Sequence, residues 1–100
     1  MFEENNEALI SALHDNIGDI SFPALKNELN YEDLRANLAI YLKTLIRENS
    51  TYLYALLYRI DVAERDVKMA FNQNMPEFIL AELILKKLTE KLYWRNKYKQ

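Results

Sequence analysis

The scarcity of glycine and proline restricts this chain more than any other feature of its sequence. One glycine and two prolines occur in 100 residues, whereas an all-β domain of this length needs many tight turns that those residues supply. The commonest residues include Leu, Ala, Glu and Lys, which are strong helix formers. We therefore predict an all-α fold, a single small helical bundle of four to five helices that occupies residues 1–100 as one domain.

Apolar residues at helical spacing, bounded by capping residues, predict where the helices of the first half lie. The first helix is expected over residues 3–17, with Gly18 as a left-handed C-terminal cap. A short helix is expected over Ala24–Leu29. Asn30 is expected to cap a longer amphipathic helix that ends near Glu48.

Three further helices are predicted in the second half. Ser50 is expected to cap the first of them. Asp61, with Glu64 three residues later, has the pattern of a capping box, so we expect the chain to change direction there and begin a helix that ends before residues 72–74. Asn74 as a cap and Pro76 in the first turn predict the start of the last helix.

Two stretches, Tyr52–Tyr58 and Phe78–Leu85, are more apolar than one packed face requires. A helix that is apolar on every side has to be covered on every side, so these stretches lie either inside the bundle or in an interface with a partner or a second copy. Tyrosine is enriched at interfaces because it combines apolar area with a polar tip. The candidate interface residues are Tyr52, Tyr54, Tyr58, Ile79, Leu80 and Leu83.

Charge is distributed unevenly along the chain. Residues 1–33 contain eight acidic and one basic residue, a net charge of −7, whereas residues 68–100 contain three acidic and seven basic residues, a net charge of +4. Either the first and last helices lie side by side, or a basic tail meets an acidic partner. The candidate basic patch comprises Lys91, Trp94, Arg95, Lys97 and Lys99. Such a segment can contact phosphates and stack on bases or lie at a membrane surface; alternatively, it only closes the end of the last helix.

The segment Leu56–Glu64 reads L-L-Y-R-I-D-V-A-E. It resembles an L-L-Y-R-I-D-V-x-E stretch shared by a group of short bacterial proteins, chiefly in the Bacteroidetes, in which an apolar helix with a basic end follows. Here Ile79–Leu85, running into Lys97 and Lys99, corresponds to that helix, so the resemblance covers roughly the C-terminal half. It implies a helical fold and a bacterial origin, and it carries no catalytic signature.

The residue types of common catalytic and metal sites are scarce. The chain has no cysteine, one histidine and one glycine, which excludes a thiolate site and a glycine-rich phosphate loop. His14 and Asp15 lack a further ligand at helical spacing, so we expect a surface or capping role for His14 rather than a metal site. We expect no enzyme active site, no cofactor and no small-molecule substrate. An enzyme with an unfamiliar carboxylate and tyrosine site is the alternative, and it would require a pocket that collects Tyr41, Glu82 or Arg59.

Arg59 precedes a charged cluster formed by Asp61, Glu64, Arg65 and Asp66. We expect Arg59 to clamp the chain reversal by pairing with Asp61 or with carbonyls at a helix end; contact with a ligand or partner is the alternative. The acidic residues are expected to pair with the free N–H groups at the helix start and to complement the positive end of the helix dipole. A paired-carboxylate site is the alternative.

The polar, acidic N-terminus is unlike a secretory signal, and no apolar run approaches the roughly 20 residues of a membrane span. We therefore expect a cytoplasmic protein. The sequence favours a small helical protein–protein interaction module, an adaptor or regulator that binds a protein partner or a second copy. A nucleic-acid-binding regulator that uses the basic aromatic tail is the alternative.

Overall fold

Five α-helices account for the fold in a computed structural model that describes residues 6–19, 22–25 and 30–97. They are α1 (Glu7–Asn16), α2 (Tyr31–Glu48), α3 (Ser50–Ile60), α4 (Glu64–Phe71) and α5 (Pro76–Lys97). No strand occurs in these parts of the chain, and their buried apolar side chains form one connected core. The all-α prediction is confirmed.

The last helix, α5, is the centre of the bundle. It packs against α1, α2, α3 and α4, and its side chains Leu80, Ala81, Ile84 and Leu85 are fully enclosed. The apolar character of this helix is therefore satisfied largely within one copy of the chain. No helix among the described residues is long and apolar enough to cross a membrane.

A single asparagine separates α2 from α3. The backbone N–H of Asn49 donates to the carbonyl of Leu45 (2.8 Å) at the end of α2, and its side-chain oxygen accepts from the N–H of Tyr52 (3.1 Å) at the start of α3. Asn49, rather than the predicted Ser50, is thus the cap, because one residue serves both helix ends. The predicted cap Asn30 is confirmed, since its side chain accepts from an N–H of the first turn of α2.

Asp61 ends α3 instead of capping α4, so the predicted capping box is wrong. It has a left-handed backbone with φ 77°. Its N–H donates to Tyr58 (3.1 Å), and the N–H of Val62 donates to Leu57 (3.0 Å), which is the hydrogen-bond pattern of a Schellman motif. The chain changes direction at this motif. The next helix, α4, then begins without a side-chain cap.

The N-terminal predictions need two corrections. The helix α1 ends at Asn16, and its C-cap residue Ile17 has extended backbone. Gly18 has no positive φ, so it is not a left-handed cap; its N–H instead donates to the hydroxyl of Tyr52 (3.1 Å). Ala24 and Leu25 are not helical. The remainder of the predicted short helix, residues 26–29, and residues 3–5 of the predicted first helix lie outside the described residues.

The connection between α1 and α2 is held by an aromatic cluster around the buried side chain of Phe22. Phe22 is buried and packs against His14 and Tyr41, with ring centroids 5.3 and 4.8 Å apart. Nε2 of His14 accepts from the N–H of Leu25 (3.3 Å), and the hydroxyl of Tyr41 donates to Asp19 (2.7 Å). His14 is therefore a hydrogen-bond acceptor for the connecting segment.

The last helix begins one residue later than its predicted cap implies. Pro76 is the first residue of α5, and Met75, which precedes it, has φ 56°. The carbonyl of Met75 accepts from the N–H of Phe78 (3.1 Å). Asn74 is therefore not the cap, while Pro76 occupies the first helical position, where its missing N–H costs no hydrogen bond.

Candidate functional site

A groove of about 780 Å³ lies between α3 and α4. Its walls are mainly apolar and aromatic and comprise Tyr54, Leu57, Tyr58, Val62, Val67 and Phe71. Glu64 and Lys68 also line it, and because their side chains are 85% and 75% exposed they lie at its solvent side. A concave apolar surface with few polar groups is the usual form of a binding site.

The groove exists because α3 and α4 are both anchored on α5. The contact of α4 is chiefly with α5, so α4 leaves the outer side of α3 uncovered. Where the two helices approach each other, the rings of Tyr54 and Phe71 lie 6.0 Å apart. Tyr54 remains 52% exposed and Tyr58 remains 87% exposed.

The outer face of α3 is uncharged as far as Tyr58, and the exposed Arg59 follows at its C-terminal end. No residue from Asn49 to Tyr58 is charged, and the solvent side is formed by Thr51, Ala55 and Tyr58, all exposed. Surface helices ordinarily present charged residues to water. Depletion of charge combined with exposed tyrosine is instead typical of the core of a protein interface.

The three tyrosines predicted for the interface do not form one surface. Tyr54 and Tyr58 lie together at the groove. Tyr52 is half-buried and points towards α1, where its hydroxyl accepts from the N–H of Gly18. Tyr52 therefore holds the end of α1 in place, and only the other two tyrosines are available to a partner.

The predicted interface residues of α5 belong mostly to the core. Leu80 is 0% exposed, so its assignment to an external interface is wrong; α5 is covered by four helices of its own chain. Ile79 and Leu83 are half-buried and pack against the core. Phe78, which begins this stretch, is 38% exposed.

Sequence reasoning missed the α4 wall of the groove. Val67 and Phe71 stand four residues apart, which indicates an apolar helix face, and the sequence alone assigns that face to the core. Val62 follows the reversal at Asp61 and packs against the core while also lining the groove. Only the direction of the chain after Asp61 brings these side chains beside Tyr54.

The candidate basic patch lies on the last turns of α5. Lys91, Trp94, Arg95 and Lys97 are exposed there, and Lys99 lies outside the described residues. The ring of Trp94 meets that of its neighbour Tyr93 edge-on at 5.1 Å.

Acidic α1 packs beside basic α5, as one of the two interpretations of the charge pattern predicts. Asp15 of α1 lines a shallow groove of about 320 Å³ together with Lys91 and Arg95 of α5. Two of the basic residues therefore face an acidic residue of the same chain.

Arg59 clamps a helix end. Its Nη1 donates to the carbonyl of Asn16 (2.6 Å), the last residue of α1. The predicted pairing with a carbonyl at a helix end is confirmed, but the carbonyl belongs to α1, 43 residues earlier in the chain, and not to the reversal at Asp61 that Arg59 was expected to clamp. Arg59 thus joins α3 to α1, where the negative end of the helix dipole favours a cation.

The polar residues that an enzyme site would draw on are dispersed. Glu82 binds Arg35 (2.9 Å) on the surface, and this hydrogen bond raises the pKa of Arg35. Burial, followed by the charge of Glu82, raises the pKa of Tyr31. Tyr41 and Arg59 are engaged elsewhere. Within the described ranges, no three His, Asp or Glu residues are grouped so that they could hold a metal ion.

Comparisons with known protein families, with curated proteins and with solved structures find no significant match to this chain.

Proposed function

We propose that this chain is a small helical interaction module, an adaptor or regulator, that binds a protein partner through the groove between α3 and α4. The observation that carries the proposal is the exposure of Tyr58 (87%) and Tyr54 (52%) beside an apolar groove, on a stretch of helix without charge from Asn49 to Tyr58. Contiguous exposed apolar surface on a soluble domain marks an interaction site. A cytoplasmic location and bacterial kinship belong to the same proposal.

The exposed area of the two tyrosine rings sets how much binding free energy they can contribute. An aromatic side chain buries about 150–250 Å², so exposed fractions of 87% and 52% leave about 300 Å² of Tyr58 and Tyr54 open to solvent. Covering that area contributes about 7 kcal/mol at about 25 cal/mol per Å². Association itself costs about 4–15 kcal/mol, so a specific partner also has to fill the groove beside the rings.

A pull-down with matched variants tests the proposal. Tyr58→Glu places a charge at the rim of the groove and is expected to reduce capture of the partner by at least about 10-fold. Ile40→Glu is the control, because Ile40 is also a large exposed apolar residue (67%) but lies on α2 and lines none of the grooves described above. Equal capture by the wild type and both variants would contradict the assignment of the surface.

Nucleic-acid binding by the end of α5 is a second candidate function. It is supported by the exposed rings of Tyr93 and Trp94 beside Lys91 and Lys97, because aromatic rings stack on bases and bound cations release counterions. A net charge of −2 for the whole chain weighs against it. The expected result is oligonucleotide binding that weakens steeply with salt, and an absence of any mobility shift at low salt would exclude this function.

A further inference from the structure

Tyr58 and the groove form a projection and a recess on the same face of the molecule. Tyr58 is 87% exposed and lines one edge of the groove of about 780 Å³. A two-fold interface between identical chains requires a surface that complements itself, so that residue i contacts j and j contacts i. A projecting ring beside an unfilled recess meets this requirement.

The charge of this face is also compatible with a copy of itself. From Asn49 to Tyr58 there is no charged residue, and the exposed Arg59 and Asp61 that follow carry opposite charges. At the groove, Nζ of Lys68 lies 3.9 Å from Oε2 of Glu64, so their opposite charges offset each other. Two such faces therefore do not repel each other. For the same reason, the face has no net charge that would attract a strongly acidic or strongly basic partner.

The available area predicts a weak dimer. Two tyrosines with about 300 Å² of exposed ring area contribute about 600 Å² in total when two copies meet, and Thr51, Ala55 and Phe71 extend the patch. Stable interfaces bury about 1,600 Å² in total, and those below about 1,200 Å² are transient. Ala55 is small and lies on the outer side of α3, so it permits close approach of two helices there.

From these observations we propose that the partner is a second copy of this chain, bound through the outer face of α3 around a two-fold axis. Tyr58 of each copy enters the α3–α4 groove of the other. This inference rests on the proposed function and names its partner.

Sedimentation equilibrium tests the association directly. As concentration rises, the average mass of the wild type is expected to increase from the 11.9 kDa of one chain towards twice that mass, as in a weak and transient association. Tyr58→Glu is expected to weaken association by at least about 10-fold, and Ile40→Glu is expected to match the wild type. Because residues 40 and 58 are both exposed, circular dichroism should show that both variants keep the helical fold.

Single-cysteine variants identify the face, since the natural chain has no cysteine. Under mild oxidation, Ala55→Cys is expected to form a disulfide-linked dimer at least about 10-fold faster than Ile40→Cys. Equal rates for the two variants would overturn the proposed interface, even if the wild type dimerises.

The two proposals fail in different ways. A wild type that stays at the monomer mass up to several hundred micromolar overturns self-association. If that monomer still captures a different protein in a manner that depends on Tyr58, the proposed function stands and only the identity of the partner is wrong. If neither self-association nor capture depends on Tyr58, both proposals fail.

Discussion

The hydroxyl of Tyr41 provides a quantitative test of how the N-terminal part of the bundle is held together. Tyr41 is 5% exposed and donates to the carboxylate of Asp19 at 2.7 Å, while its ring packs edge-on against Phe22. Tyr41→Phe removes the oxygen and keeps the ring. Hydrogen bonds to charged groups contribute about 1.5–3 kcal/mol.

Because Asp19 is only half-buried and water can solvate it in the variant, we expect a loss near the lower end of that range. The expected loss is about 1–2 kcal/mol of the free energy of unfolding, or a melting temperature lower by roughly 4–16 °C for a domain of this size.

The alkaline range gives a second and independent signature of the same hydroxyl. Burial, then the hydrogen bond to Asp19, raises the pKa of Tyr41 far above its ordinary value of 10.0. Above about pH 10 the unfolded chain loses this proton while the folded chain keeps it, so the contribution is complete below pH 10 and declines as pH rises. Between about pH 9 and pH 11 the advantage of the wild type over Tyr41→Phe should shrink by about 1.4 kcal/mol.

Urea unfolding followed by far-UV circular dichroism measures both effects. Tyr93→Phe is the matched control, because it deletes the same oxygen from a ring that is 58% exposed, and we expect it to be as stable as the wild type at pH 7. The pKa of Tyr31 is also raised. Because Tyr31 is present in the wild type and in both variants, its effect on the pH dependence of stability is the same in all three proteins. A loss below about 0.5 kcal/mol at pH 7, or parallel alkaline curves for the wild type and Tyr41→Phe, would refute the reasoning.

Three further substitutions test single features of the fold by thermal unfolding. Arg59→Ala removes the hydrogen bond to Asn16 and should cost about 0.5–1 kcal/mol; an unchanged melting temperature would contradict the clamp. Asp61→Gly relieves the left-handed backbone and should add about 0.5–1 kcal/mol, while Asp61→Val should lower stability. Leu80→Ala opens a cavity in the enclosed core and should cost about 2–5 kcal/mol, so a surface-like effect below 1 kcal/mol would show that Leu80 is not buried.

The helices were predictable because their signals are local. The apolar spacing of Leu53, Leu56, Leu57 and Ile60 requires no knowledge of the partner helix, and all four side chains are buried. Capping was less predictable, since a helix start and a helix end can use the same residue types. Asp61 has the sequence pattern of an N-terminal cap, yet its backbone closes the preceding helix.

The candidate site was predictable only in part. Tyr54 and Tyr58 stand out in the sequence as aromatic residues off the apolar stripe of their helix, and both are exposed. Tyr52 has the same chemistry but lies on the side that faces α1, where Gly18 engages its hydroxyl. Which tyrosines remain available depends on the neighbours of each side of α3, and those neighbours come from distant parts of the chain.

The sequence by itself determined the fold class and most helix positions of this protein, because glycine scarcity, apolar periodicity and caps act over a few residues. Tertiary structure alone decided that α5 is enclosed by four helices and that Leu80 is core. It also decided that Phe71 joins Tyr54 in a groove. The physical reason is that the burial of a side chain depends on how many helices surround it, and those helices come from distant parts of the chain.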